Sequence, residues 1–285
     1  MRKFIISDRV AKKLKGLDAG VPPREKTEES AAAPENARSE DAGRRVRAIS
    51  RTDIGLVRRS NQDAVIVGGT VMGIADGMGG HQGGETASAG ARDGLLRILK
   101  EKEPSEDALR EAIQEVNLEL WNRQLEDDSL TGMGTTLTVL WPAGENMLIG
   151  HVGDSRAYLL RAGEMRQVTQ DHSMVADMVR RGLLSEEQAA THPMRNYITR
   201  AVGTEPTIDV DVLSLPRQEG DRWLVCSDGL HGLVEKSRLR ELMAGEDPEE
   251  AADQMIREAL DRGGRDNVSL ILALDEAPPE KEADE

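Results

Sequence analysis

TVMGIAD, residues 70–76, is an apolar run that stops on an acid, and it passes at once into GMGGH, residues 77–81. A short apolar stretch bounded by glycine reads as a buried strand, and glycine at its end lets backbone carbonyls approach whatever the acid binds. The arrangement returns twice: MLIGHVGD (147–154) ends on Asp154, and WLVCSD (223–228) ends on Asp228. Two more acids sit in short polar clusters, Asp63 in RRSNQD and Asp266 in GRDN. One Asp-Gly alone is most often a turn. Taken as a set, these acids point to a common site, because gathered carboxylates repel one another and lose hydration unless cations neutralise them. Oxygen-only ligands suit magnesium or manganese.

Outward from these runs, strands are expected at 64–67, 70–75, 134–141, 146–152, 156–161, 222–227 and 267–273. Leu109, Ile113, Val116 and Leu120 recur at helical spacing after Pro104 and Ser105. Ala252, Met255, Ile256 and Ala259 do the same ahead of Gly263 and Gly264, which mark a stop. Paired strands with separate helical blocks favour an α+β class over a parallel α/β fold. Between Asp171 and Pro206 a polar stretch of helical character separates two strand regions. A connection of that length in a compact domain is more often functional than accidental.

Seven motifs, read in order, carry a resemblance: GLVRRSNQD (55–63), ADGMGGH (75–81), GMGTTL (132–137), VGDSRAYLL (152–160), VTQDHS (168–173), LVCSDGL (224–230) and GGRDNVSLI (263–271). Together they resemble the bacterial type 2C, metal-dependent (PPM-type) Ser/Thr protein phosphatases, over about residues 48–275. The resemblance implies an αββα sandwich: two antiparallel sheets face to face, helices on both outer surfaces, and metals in a cleft at one sheet edge. It implies hydrolysis of phosphoserine and phosphothreonine in proteins by direct attack of a metal-bridging hydroxide, in opposition to a bacterial Ser/Thr kinase. Two ions close together lower the pKa of a shared water and neutralise phosphoryl oxygens.

Carried over by motif, Asp76 bridges two Mn2+ or Mg2+ ions. Asp228 and Asp266 complete the first, and the Gly77 carbonyl touches the second. Asp63 holds metal-bound water, and Asp154 with Asp228 matches the positions of a third ion. Arg58 grips the substrate phosphate through its planar donor fork, whereas Arg59 reads as a surface charge. The segment 171–206 corresponds to the flap beside the active site, where Arg195 and Arg200 either meet phosphopeptide or flank solvent. Two positions depart from the animal-type pattern. Gln62 replaces a frequent Glu, which removes a negative outer partner of the second ion. Met78 stands where animal members have a histidine proposed as general acid, and a thioether cannot donate a proton. His81 and His172 lie nearby in the motifs, and for His172 a hydrogen-bonded structural role is the simpler reading.

Of the 285 residues, 38% are hydrophobic and six are aromatic, so the core must be aliphatic. Residues 1–47 hold 12 Lys and Arg against 8 Asp and Glu, leaving 25 against 44, a balance of −19, for residues 48–285. So acidic a domain repels nucleic-acid backbones, which disfavours a two-metal nuclease. A non-catalytic phosphoprotein-binding regulator would be expected to lack metal acids, and none is missing. Cys226, the only cysteine, excludes a disulfide framework and reads as a small buried hydrophobe. No apolar run approaches the length of a membrane span and no secretory signal is legible, so a cytoplasmic location is expected.

The remaining organisation is a basic amphipathic segment at 1–17, with Ile6, Val10, Leu14 and Leu17 on one helical face, a pattern that suits docking to an acidic partner or membrane surface and equally a short helix that packs on its own acidic domain or frays. A Pro, Ala, Glu and Ser-rich linker at 18–47 reads as disordered. The catalytic domain occupies 48–275, and an acidic tail follows at 276–285.

Overall fold

Uninterrupted apolar runs such as WLVC and SLILAL need both faces of a strand covered, and the fold provides a cover on each side. The computed structural model describes residues 4–5, 37–41, 44–79 and 83–277. In chain order the strands are β1 (Phe4–Ile5), β2 (Ala37–Asp41), β3 (Arg44–Asp53), β4 (Asp63–Gly68), β5 (Val71–Met78), β6 (Gly134–Thr135) and β7 (Leu137–Ala143). They continue with β8 (Asn146–Val152), β9 (Arg156–Arg161), β10 (Glu164–Gln167), β11 (Tyr197–Ile198), β12 (Asp211–Pro216), β13 (Arg222–Cys226) and β14 (Val268–Glu276). One antiparallel sheet runs β10-β9-β13-β14-β3-β2; the other runs β12-β8-β7-β5-β4, with β6 paired to the end of β5.

The two sheets pack through Val46, Ile74, Leu140, Ile149, Trp223 and Ile271. Along β14 the side chains alternate: Ile271 and Ala273 enter this central layer, while Leu270, Leu272 and Leu274 face the helices Lys236–Met243 and Pro248–Asp261. The opposite sheet is covered by Gly83–Leu99 and Glu106–Glu126, whose Leu95, Leu109 and Ile113 pack with Ile66, Val139 and Trp141. This is the expected α+β, four-layer αββα arrangement. Local signals fix the helix starts. The Ser105 hydroxyl accepts the Ala108 N–H at 3.1 Å, and Asp247 caps a helix that begins with Pro248.

The expected strands all form, 146–152 and 156–161 with the expected ends and the others with shifted ones. The run at 134–141 is split at Thr136, whose N–H donates to the Asp76 carbonyl at 2.9 Å and so turns the chain between β6 and β7. The strands β10 and β12 and the helix Gly83–Leu99, rich in glycine and alanine, carry no periodic signal strong enough to find them alone. The linker reading needs correction at its C-terminal end. β3 begins at Arg44 and pairs Arg45 with Glu276 of β14, and β2 pairs with β3, so ordered sheet reaches into 18–47 and to residue 276. Phe4–Ile5 form an extended pair with β11, parallel to it, rather than part of a helix. The rest of the 1–17 segment, residues 18–36, His81 and the tail from 278 onward lie outside the described residues.

Candidate active site

The β4–β5 hairpin sets Asp63 directly opposite Asp76 as cross-strand partners. Asp76 is buried, and its backbone is held from both sides by Thr136: its N–H donates to the Thr136 hydroxyl at 3.0 Å and its carbonyl accepts the Thr136 N–H at 2.9 Å. The next residue, Gly77, donates its N–H to the Gln62 carbonyl at 2.9 Å. A Cβ there would stand 2.0 Å from the Gly84 carbonyl oxygen, so only glycine fits.

Asp228 follows β13 immediately and opens the short helix Asp228–His231. Its neighbour Ser227 ties three strands together. The hydroxyl donates to the Asp63 carboxylate at 2.8 Å and accepts the Ser269 N–H at 3.1 Å, while the Ser227 N–H donates to the Ser269 carbonyl at 3.0 Å. Asp266 precedes β14, and Asn267 beside it is buried and fully used. Its amide nitrogen donates to the carbonyls of Ile54 at 2.9 Å and Ser60 at 3.0 Å, and its oxygen accepts the Gln62 N–H at 2.8 Å. The loop carrying Arg58 is thereby fastened to the loop carrying Asp266, and the Arg58 guanidinium donates to Asp266 Oδ2 at 2.6 Å. Arg59 is exposed.

Asp154 is buried one residue beyond Gly153, whose φ of 110° turns the chain out of β8, and its carbonyl accepts the His231 Nε2–H at 3.0 Å. His172 holds the same turn from the flap side. Gly153 N–H donates to His172 Nδ1 at 3.0 Å, and Nε2 lies 3.0 Å from Arg200 Nη1 and 3.2 Å from Asp211 Oδ2. Burial and then the Arg200 guanidinium hold the His172 pKa below its ordinary value. The flap consists of the helices Met174–Arg180 and Glu186–Thr191 followed by β11. Arg200 at its end donates to Asp211 Oδ1 at 2.7 Å, anchoring the flap to β12. Arg195 donates to the His192 carbonyl at 3.4 Å within the flap. Met78 is buried against Ile198 and Ala201, so at this position β5 supports the flap through an apolar contact.

The donors brought to this rim, the carboxylates of Asp63, Asp76, Asp228 and Asp266 and the Gly77 carbonyl, are all oxygens. That chemistry fits hard divalent cations and not zinc or copper. Among the described residues no three acidic, histidine or cysteine side chains close on a single point. The acids stand at neighbouring strand ends without forming a finished cage. Ser227, Asn267 and Thr136, which support the acids and their loops, carry no role in the sequence reading although each lies inside a motif. Their only signal is that they are polar residues beside an acid or beside another motif strand. Cys226 lies in the core behind the site, where burial pushes its thiol up to about 12.

Residues 57–262 match the sequence profile of the family described as Protein phosphatase 2C. The chain is 39% identical over 237 residues to the serine/threonine phosphatase stp of Listeria monocytogenes, covering 78% of this chain and 93% of that one. It is 38% identical over 231 residues to the serine/threonine protein phosphatase PstP of Mycobacterium tuberculosis, covering 80% of this chain and 45% of that longer protein. The crystal structure of the M. tuberculosis phosphatase PstP/Ppp superposes with a TM-score of 0.77 at 37% identity, covering 81% of this chain and 99% of that one. A PstP catalytic domain in complex with two manganese ions gives 0.75 at 35% identity, covering 81% and 98%.

Proposed function

The chain belongs to the protein phosphatase 2C family, and from that premise we propose the part each residue takes in its work as a metal-dependent protein serine/threonine phosphatase. The observation that carries the proposal is a chain of ties between the motifs: Asp63 pairs with Asp76 across the hairpin and accepts the hydroxyl of Ser227 beside Asp228, while Asn267 beside Asp266 accepts the Gln62 N–H and Arg58 rests on Asp266. Asp76, Asp228, Asp266 and the Gly77 carbonyl would hold two Mn2+ or Mg2+ ions, and Asp154 with Asp228 would take a third. When bound, the ions activate water and neutralise charge on the phosphoryl oxygens.

The remaining steps belong to the chain's own groups. Asp63, oriented by the Ser227 hydroxyl, accepts a proton of the water that attacks phosphorus. Arg58 offers two parallel N–H donors to the phosphate oxygens and sets its orientation for in-line attack. Met78 gives the departing serine or threonine oxygen no proton, so that oxygen takes its proton from water in the open cleft. His172 is not available for that duty either, since both its nitrogens are engaged in the flap base.

The substrates are the products of protein Ser/Thr kinases, so the enzyme opposes such a kinase. The acidic catalytic domain suits phosphosites with basic surroundings. The basic segment 1–17 serves as a docking element for an acidic partner. No helix among the described residues is long and apolar enough to cross a membrane; a cytoplasmic location accords with the family's substrates and is checked by cell fractionation.

The deciding experiment is manganese-dependent phosphate release from a phosphothreonine peptide, run with a chelator and with Asp228→Ala and Asp76→Ala. Turnover is expected only in the wild type with metal. Retention of most activity in either purified, metal-supplied variant would reject the site assignment.

A further inference from the structure

Resting on the assignment of Asp266 to the metal site and Arg58 to the phosphate, we propose that Arg58 is shared between the two. It competes with the divalent ion for Asp266, and it is handed to the substrate phosphate when the ion takes the carboxylate. Both oxygens of Asp266 have partners: Oδ1 accepts the Asn267 N–H at 2.8 Å, and Oδ2 accepts from Arg58 Nη2 at 2.6 Å. An ion that binds Asp266 through Oδ2 therefore meets a guanidinium on the same oxygen. The conflict is resolved by movement of the guanidinium away from that oxygen.

The movement is confined to the side chain, because the backbone on both sides of Arg58 is fastened to the Asp266 loop. Leu56 N–H donates to the Gly264 carbonyl at 2.7 Å. Gly55, at φ 77°, lies so close that a Cβ would stand 2.1 Å from the Asp266 carbonyl oxygen. Asn267 holds the carbonyls of Ile54 and Ser60. Arg58 is only partly buried, with 25% of its side chain exposed, so it has room to swing from Asp266 into the cleft. A phosphate dianion in the cleft offers the displaced guanidinium a replacement partner. Ion binding and phosphate binding then favour each other through one side chain, a reciprocal linkage.

The test follows binding, not turnover. The chelator-stripped full chain is titrated with Mn2+ and the free ion is read by electron paramagnetic resonance, for wild type, Arg58→Ala, Arg58→Gln, Arg58→Lys and Asp266→Ala. Arg58→Ala and Arg58→Gln are expected to bind Mn2+ more tightly by about two- to fivefold, the range a partly exposed ion pair is worth. Arg58→Lys, which keeps the charge, should stay near wild type. General damage to the fold would weaken metal binding, so tighter binding in a truncated variant has no merely structural explanation. Equal or weaker Mn2+ affinity in both neutral variants, with circular dichroism unchanged, overturns the sharing of Arg58 and leaves the phosphatase reading in place. Equal Mn2+ uptake by wild type and Asp266→Ala removes Asp266 from the metal site, and the inference falls with that assignment.

Discussion

At the scale of single residues the site depends on two that hold no ligand by their side chains. Gly77 lies where a methyl group would sit 2.0 Å from the Gly84 carbonyl oxygen and 2.6 Å from the Gln62 carbonyl oxygen. Gly77→Ala must therefore push β5 away from the start of the helix Gly83–Leu99 and carry the Asp76 carboxylate with it. A displacement of this kind is expected to lower kcat/KM about 10²-fold, with metal affinity falling in parallel. Asn267 is the second. Asn267→Ala removes three side-chain hydrogen bonds that tie the Arg58 loop to the Asp266 loop, and its main effect should be a KM for phosphopeptide raised about tenfold, with a smaller change in kcat. An unaltered KM would show that Arg58 finds its place without this tie.

At the scale of elements, the flap is joined to the sheets through buried polar groups, which makes its base sensitive to acid. His151, on β8, donates Nε2–H to the Gln170 carbonyl at 3.0 Å and meets the Thr138 hydroxyl of β7 through Nδ1 at 2.9 Å. Burial, and then His172 with its ring centroid 4.8 Å away, lower its pKa to about 4; Asp171 and Asp211 oppose the shift. Unfolded, the same ring takes up a proton near its ordinary value of 6.5. Between those values the unfolded chain binds more protons, so stability rises with pH, and the contribution is lost as pH falls from 6.5 towards 4. The loss should amount to about 3 kcal/mol. Urea midpoints across that range are expected to fall for the wild type and to fall less steeply for His151→Gln. Parallel curves for the two proteins would show that His151 is not the group responsible.

At the scale of the whole molecule, the two sheets are joined by a buried charge pair as well as by apolar packing. Arg217, just past β12 of one sheet, donates to both carboxylate oxygens of Asp275 on β14 of the other, at 2.7 and 3.0 Å. Both side chains are fully buried, and Arg217 also donates to the Gly144 carbonyl at 3.1 Å. Breaking such a pair from one side leaves an uncompensated charge, so Arg217→Met should destabilise the protein by roughly 3 to 5 kcal/mol in thermal or urea unfolding. The double variant Arg217→Met with Asp275→Leu should recover much of that loss. Failure to recover would mean that the pair supplies more than charge balance.

What the sequence determined by itself were the features set by local chemistry. These include the apolar runs that end on Asp76, Asp154 and Asp228, the helix start at Ser105, the aliphatic core, and the seven motifs that contain the acids and Arg58. Each depends on residues adjacent or one helical turn apart, so the chain records it directly. What only the tertiary structure decided were the relations between distant segments. Ser227 reaches Asp63, Asn267 holds residues 54 to 62, Arg58 rests on Asp266, and β3 extends back to Arg44 because Glu276 lies opposite Arg45. Nothing in the short sequence around Arg44 or Asn267 carries that information. A hydrogen bond between residues some 200 positions apart depends on the register in which sheets close, and register is fixed only when both faces of every strand find their cover.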